Sequence, residues 1–559
     1  MNKSNYRKKL GIALSACLCT MLFAACSSGS GGQAPTGSPA ASSNTPQASA
    51  APDSGGGTGD YIADQKKKWH IGDNISFDWY INLNANFSKW DNYEYFKDIT
   101  EITGVKPNVN FPTGTPSEKL NLMLATGELP DMITLEQTDP TVEKLIKEGL
   151  VYSHDELIEK FAPEFKKEIP NDVYKLISSD VDGKLYGLPS YYYTNLMGAY
   201  TYMVRQDIYK ELGSPDMSTP DNLAKALKLF KEKFPTMEGQ PSIPMAFANL
   251  GEDQLTTNVV EGSFGIRQYY VGDNGIVSNK YKDPQYAEYV KYMNRLYKDG
   301  LIDKELFIKK SEQLQKDFAT RVFVVPGRYW DTSAATQSLT KQFGEEKTYF
   351  YAMDPMKAVP RVEYPGESRM GWTITLITKK AKNPEALIKF IRYMWNRDGN
   401  LLMNYGKEGV DYKLADEKSV LRTLPEEKLN EYRIKKGILQ LSFFKYDWLK
   451  EVFPDTPETK KQMEMYALID KSAKDWTAIT YKMEPDPTTA EGTVTTRIKE
   501  IAKTAMPRII LADSEEKAVS LYQEMLANME KSGLKQLEDY YSKQYKKNVE
   551  KFGAEYALK

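Results

Sequence analysis

GWTITLITKKAKNPEALIKFIRYMW (residues 371–395) contains both periodicities that decide the fold. Residues 371–378 form a short apolar run rich in β-branched side chains, the composition of a buried strand. Asn383-Pro384 then supplies a helix cap followed by a proline, whose missing N–H is harmless in a first helical turn. Leu387, Phe390, Ile391, Met394 and Trp395 recur at helical spacing and share one inward face, so Trp395 reads as core. A strand running into a capped helix is the repeating unit of α/β architecture.

The same unit recurs along the chain in both directions. A helix over 93–102 precedes a strand over 105–111, and Ser117 caps a helix through Ala125 with Leu120, Met123 and Leu124 on its apolar side. Gly127 and Pro130 stop that helix, and the next strand starts at Asp131. A strand over 200–204 leads to a short helix closed by Gly213 and Pro215. Thr219-Pro220 opens a helix reaching Phe234. Asp283-Pro284 opens another, with Tyr286, Tyr289, Val290, Met293 and Leu296 inward, and Asp513 or Ser514 caps a last one through Leu526. With no short repeat visible, this alternation predicts α/β lobes with mainly parallel sheets.

The N-terminal region bears on compartment. Lys3, Arg7, Lys8 and Lys9 precede an apolar stretch over 10–25, which has the length of a signal-peptide core and is short for a bilayer span. It ends Leu22-Phe23-Ala24-Ala25-Cys26, which resembles a bacterial lipobox, with Phe23 where leucine is usual. The resemblance implies a lipoprotein signal peptide over 1–25 and a lipidated, membrane-anchored Cys26. Residues 27–60 are almost all Ser, Gly, Ala, Pro, Thr, Asn and Gln, so 26–60 reads as a flexible tether.

Residue inventory narrows the function classes. Cys17 and Cys19 lie in the signal segment, so the folded body has neither a disulfide nor a thiolate metal site. Only His70 and His154 are present, both expected at the surface, which leaves little room for histidine-dependent catalysis or histidine-ligated zinc. There are 74 Lys and Arg against 76 Asp and Glu, and the balance turns more acidic once the four basic signal residues leave. No basic block reads as a nucleic-acid surface. No nucleophile motif, phosphate loop or metal-ligand spacing is present either, so no cofactor is expected, and a secreted carbohydrate-active enzyme is the less favoured alternative.

Several phrases, taken together and in order, resemble family 1 extracellular solute-binding proteins, in particular the branch of large oligosaccharide- and alginate-binding lipoproteins. They are TGVKPNVN from Thr103, EKLNLMLATGELPD from Glu118, DGKLYGLP from Asp182, LYKDGLIDKE from Leu296, NPEALIKFIRYMW from Asn383, GKEGVDYKL from Gly406 and MPRIILADSEE from Met506. The resemblance implies a two-lobed periplasmic-binding-protein-like fold of type II with a hinge between lobes. It places 61–188 and 371–428 in the N-terminal lobe and 189–370 and 429–559 in the C-terminal lobe. It also implies capture of a small molecule or oligosaccharide, without catalysis, for the permease subunits of an ABC importer. A peptide, another nutrient or service to a sensor kinase remains open within the same architecture. Many relatives carry an acidic calcium loop after the helix that ends here near Phe234. This chain has Pro235-Thr236-Met237-Glu238-Gly239-Gln240-Pro241, with one carboxylate, so no metal is carried over and a turn is expected.

Sugars present apolar CH faces and a rim of hydroxyls, so aromatic rings with polar neighbours at strand ends are the candidates. Asp78, Trp79 and Tyr80 follow the first strand-like run, and Glu136 follows the strand beginning near Asp131. Tyr191, Tyr192 and Tyr193 stand at the expected first crossing between lobes. Arg328, Trp330 and Asp331 follow the apolar run 322–325, and Trp372 opens the returning strand. Glu408 and Tyr412 lie in a phrase that the family uses near its cleft.

Overall fold

The computed structural model describes residues 61–553 except 84–86, 114–115, 191–199, 248–257, 304, 345–349, 354–363, 366–370, 424–425, 445–447, 453–456, 471–472 and 475–480. Tyr191, Tyr192, Tyr193 and Cys26 lie outside the described residues.

Two sheets organise residues 61–553. The first is built from β1 (Ile75–Ile81), β2 (Val105–Asn110), β3 (Met132–Glu136), β4 (Gly187–Pro189) and a late strand, Thr373–Ile377, in the order β2, β1, β3, Thr373–Ile377, β4. The second contains β5 (Tyr200–Arg205), β6 (Ile243–Met245), β7 (Val322–Arg328) and β8 (Phe350–Ala352), in the order β8, β5, β7, β6. The late strand of the first sheet is β9. These sheets are mixed rather than mainly parallel. β1 runs parallel to β2 and β3, but β9 is antiparallel to β3 and β4. β5 likewise runs antiparallel to β7 and β8. β9 enters the first sheet after the chain has visited the second, so it is free of the same-direction constraint of a βαβ crossover.

Both faces of the first sheet are covered. Phe77, Trp79, Ile81 and Ile377 join one apolar cluster, and Tyr80, Ile133, Leu135, Ile374 and Leu376 join another on the opposite face. Such strands read as continuous apolar runs, which explains TITLI in β9. Three expected caps are present, whereas Ser117, expected to cap a helix, lies inside the helix Pro116–Thr126. Thr219 accepts from the Asn222 N–H, Asn383 from the Ala386 N–H and Ser514 from the Lys517 N–H, each opening a helix. The loop after Phe234 is a two-stranded hairpin, with Glu238 and Gly239 both at positive φ, the chemistry of a tight two-residue turn.

Three packing features depart from the sequence expectations. Ile438, Leu441, Phe443 and Phe444, expected with the second lobe because they follow residue 428, pack in the same cluster as Trp79. The C-terminal helix Leu534–Phe552 contributes Leu534, Leu537 and Tyr541 to the core around the second sheet and Phe552 to the core of the first. His154, expected at the surface, is fully buried. It opens the helix His154–Phe161 behind the Ser153 cap, and burial lowers its pKa to about 3, so the imidazole is neutral.

Candidate functional site

The C-terminal edge of the first sheet gathers one end of every strand. β3 ends at Glu136, β9 begins opposite it in register at Thr373, and β4 ends at Pro189. Trp372 stands just ahead of β9, its N–H donating to Ser190 (2.9 Å) and its carbonyl accepting from the Gln137 N–H (2.9 Å). With the backbone pinned on both sides, the indole projects from the edge, 41% exposed, and its Nε1 donates to Glu136 Oε1 at 3.4 Å.

Beneath the indole lies Phe443, 6.4 Å from Trp372 between ring centroids. Phe443 also meets Phe87 edge-on at 5.6 Å, and Phe87 stacks on Phe111 at 6.2 Å. Phe111 directly follows β2, and Phe87 lies in the loop after β1. Both are half-buried, so three partly open rings surround one buried ring. Asn82 and Gln137 directly follow β1 and β3; both are buried, and Asn82 Oδ1 and Gln137 Oε1 have no hydrogen-bond partner among the described residues.

The edge of the second sheet is built differently. Arg328 ends β7 in register with Tyr200 at the start of β5. Its guanidinium lies 5.3 Å from the Tyr200 ring and 5.4 Å from the Trp330 ring, and its Nε donates to the Tyr200 hydroxyl at 3.1 Å. A 3-10 turn, Tyr329–Thr332, carries Trp330 outward, 39% exposed, with Tyr329 edge-on against it at 4.8 Å. Asp331 accepts the Arg328 N–H at 2.8 Å and so fixes the turn. Burial raises the Asp331 carboxyl above its ordinary value, partly offset by that N–H and by the Arg328 charge.

A cavity of about 590 Å³ opens beside Gln137, between the helix Pro140–Lys147 and the segment around Lys482, Asp486 and Tyr540. Lys482 crosses its wall, paired with Glu143 at 2.5 Å and Asp180 at 3.1 Å.

The remaining candidates fall elsewhere. Trp79 is completely buried; its Nε1 donates to Thr134 at 2.8 Å and its ring packs against Phe443, Phe444 and Trp90. Tyr80 is buried on the opposite face. Its hydroxyl has no partner among the described residues and is pushed up to about 12 by burial. Neither ring reaches a surface, because β1 is an inner strand with both faces covered. Asp78 is exposed but lies toward the other end of the sheet, where its N–H meets Asp131 at the start of β3. Tyr412 is buried with Leu401, Tyr405 and Val420 in a satellite core, and exposed Glu408 bridges to it through the backbone. The structure thus groups Glu136 with Trp372, and Arg328 with Trp330 and Asp331. Phe87, Phe111, Tyr200 and Phe443 went unnoticed in the sequence. Phe111 was legible as the residue ending a strand, whereas Phe443 is recruited from more than 300 positions away.

Among the described residues no helix is long and apolar enough to cross a membrane. Residues 94–407 match the family described as bacterial extracellular solute-binding protein. The lipoprotein LipO of Bacillus subtilis (strain 168) is 24% identical over 337 residues, 57% of this chain and 64% of LipO. The fructooligosaccharide ABC transporter substrate-binding protein FusA of Streptococcus pneumoniae serotype 4 is 30% identical over 208 residues, 34% of this chain and 38% of FusA. The alignment therefore spans less than two thirds of either of these relatives. The crystal structure of the alginate-binding protein AlgQ2 without calcium ion superposes with a TM-score of 0.65 at 21% identity, covering 86% of this chain and 99% of that one. The fold is that of periplasmic-binding-protein-like solute-binding proteins, and the chain belongs to the bacterial extracellular solute-binding protein family, which binds solutes and does not convert them.

Proposed function

We propose that this chain captures a carbohydrate, an oligosaccharide, between the two sheet edges and delivers it unchanged to the permease of an ABC importer. The supporting observation is the open aromatic floor of Trp372, Phe87 and Phe111 beside Glu136. Rings cover sugar CH faces, while a carboxylate accepts from hydroxyls. Chain connectivity supports a shared groove. The chain leaves the first sheet at Pro189 and enters the second at Tyr200, so a short crossing joins the two edges that carry candidates. Relatives and similar structures are described as binding fructooligosaccharides, polygalacturonan and rhamnogalacturonan, alginate and N-glycans.

In this reading the N-terminal lobe comprises 61–188 and 371–428, extended by 438–444, and the C-terminal lobe most of the remainder. Tyr191, Tyr192 and Tyr193 lie on the crossing and join the site. Residues 1–25 are a signal peptide, and Cys26 carries the lipid that holds the protein outside the cell membrane through the 26–60 tether. Ligand touching both edges binds the closed form more tightly and shifts the population toward it.

A glycan panel read by thermal shift tests the function. A ligand that binds only the native state raises its apparent stability, by about 2.7 kcal/mol at a hundredfold excess over Kd. A shift with oligosaccharides but not with peptides is expected, and the reverse pattern would refute the proposal. Anchoring is tested by mass spectrometry of the mature N-terminus and by release of a Cys26→Ser protein into the medium.

A further inference from the structure

Gly437-Ile438-Leu439-Gln440-Leu441-Ser442-Phe443-Phe444 delivers the buried ring of the floor along an uncommon backbone path. Gly437, Leu439 and Leu441 have φ of 87°, 60° and 47°, in the left-handed region that a residue with a Cβ disfavours. Such a conformation persists only where its surroundings over-determine it, and it collects at functional sites. Here the surroundings are explicit. Ile438, Leu441, Phe443 and Phe444 are buried. The Leu439 N–H donates to the Met403 carbonyl at 2.9 Å, and the Asn400 amide donates to the Phe444 carbonyl at 2.9 Å. The segment so held sets Phe443 5.6 Å from Phe87 and 6.4 Å from Trp372.

One buried side chain ties this segment to the loop of Phe87. Tyr93, 2% exposed, stands between the 3-10 turn Trp90–Asn92 and the helix Glu94–Thr103. Its hydroxyl accepts from the Ser88 N–H at 2.8 Å and donates to Gln440 Oε1 at 3.3 Å. Ser88 adjoins Phe87, and Gln440 lies three residues before Phe443. The ring lies against Gly437, where an added Cβ would come within 2.8 Å of the Tyr93 Cβ, and Phe96 meets it edge-on at 5.1 Å. Packing therefore fixes the ring, while the hydroxyl spans the two pieces of chain that supply Phe87 and Phe443. Ser88 is exposed, so water can replace the hydroxyl at its N–H, and losing that bond costs the fold little. What the loss loosens is the placement of Phe87 against Phe443. A ring that the ligand must order holds it less tightly than one already in place.

We propose that Tyr93 is a positioning residue of the ligand floor, its hydroxyl clamping the loop of Phe87 to the left-handed segment that carries Phe443. The inference rests on the carbohydrate reading above. Its test is a double-mutant cycle on the full chain, read by calorimetry and by melting temperature. The probe is whichever oligosaccharide pool, from inulin, mannan, galactan, xylan, polygalacturonan or alginate, raises the melting temperature of the parent most. Tyr93→Phe keeps the ring and removes the hydroxyl. It is expected to weaken binding about fivefold, the effect of one neutral hydrogen bond. Its melting temperature is expected to fall by no more than about 2 °C. Phe87→Ala is expected to weaken binding about tenfold through loss of an open ring. On the Phe87→Ala background Tyr93→Phe is expected to add less than about twofold, because the hydroxyl acts through that ring. A tyrosine with a merely structural role would lower stability, and its loss would add in full on both backgrounds.

Tyr93→Phe binding as tightly as the parent, a full fivefold loss on the Phe87→Ala background, or Phe87→Ala binding like the parent would each overturn the role while leaving carbohydrate capture intact. A parent that responds to no pool would instead overturn the carbohydrate reading, and this inference with it.

Discussion

On the first sheet the exposed Trp372 rests on Phe443, which lies against the buried Trp79, so the open aromatic surface is the outermost layer of a continuous core. On the second sheet Trp330 stands on a 3-10 turn, braced by Tyr329 and by the guanidinium of an exposed arginine. One edge is a floor whose geometry is set by packing against the core. The other is a lip, a ring on a short 3-10 turn that Asp331 and Arg328 hold in place. In the proposed function, packing pre-organises the floor, which lowers the ordering cost of binding there.

The sharpest way to break the contrast is to cut the floor from below. Trp79→Ala removes a fully buried indole and should cost about 3–5 kcal/mol of unfolding free energy, measured by urea titration. Trp372→Ala, at the exposed end of the same stack, should shift stability by less than about 1 kcal/mol. Equal losses in the two variants would mean that floor and core are not distinct.

Acid should soften the first core next. His154 is buried against it with its pKa lowered to about 3 from an ordinary 6.5. The unfolded chain therefore binds more protons than the native one between those values, and stability falls as pH drops through that window. The slope approaches about 1.4 kcal/mol per pH unit. His154→Leu should lose that contribution to the pH dependence, and identical pH–stability curves for parent and variant would show that the imidazole is solvated.

Binding sharpens the comparison further. Trp372→Ala should weaken oligosaccharide binding by about 1–3 kcal/mol, or roughly tenfold to a hundredfold, by calorimetry. Trp330→Ala should cost less, about tenfold or below, because Tyr200 and Arg328 remain at the same edge. A larger loss at Trp330 than at Trp372 would invert floor and lip.

The fold was legible because its signals are local. Caps at Thr219, Asn383 and Ser514 and the run TITLI depend on neighbours a few positions away. The candidate site was legible where a strand ends, as at Glu136, Arg328 and Trp372, which the structure places at sheet edges. It failed at Trp79 and Tyr80, because whether an inner strand's last residues emerge depends on the helices laid over both faces. It failed at Phe443 because that ring is brought by a segment far along the chain, and no local period announces it. His154 escaped for a related reason: a polar residue after a helix cap gives no sign that the helix will be packed over.

Closure in solution is the most direct test of joint capture by the two edges. The sequence after Cys26 contains no cysteine, so a chain starting at residue 61 accepts two placed labels cleanly. Leu122→Cys and Ile308→Cys provide exposed positions, one beside each sheet's core. With donor and acceptor dyes there, saturating oligosaccharide should raise transfer efficiency and shorten the mean distance, reversibly on removal. Saturated binding with an unchanged distance would contradict joint capture by the two edges.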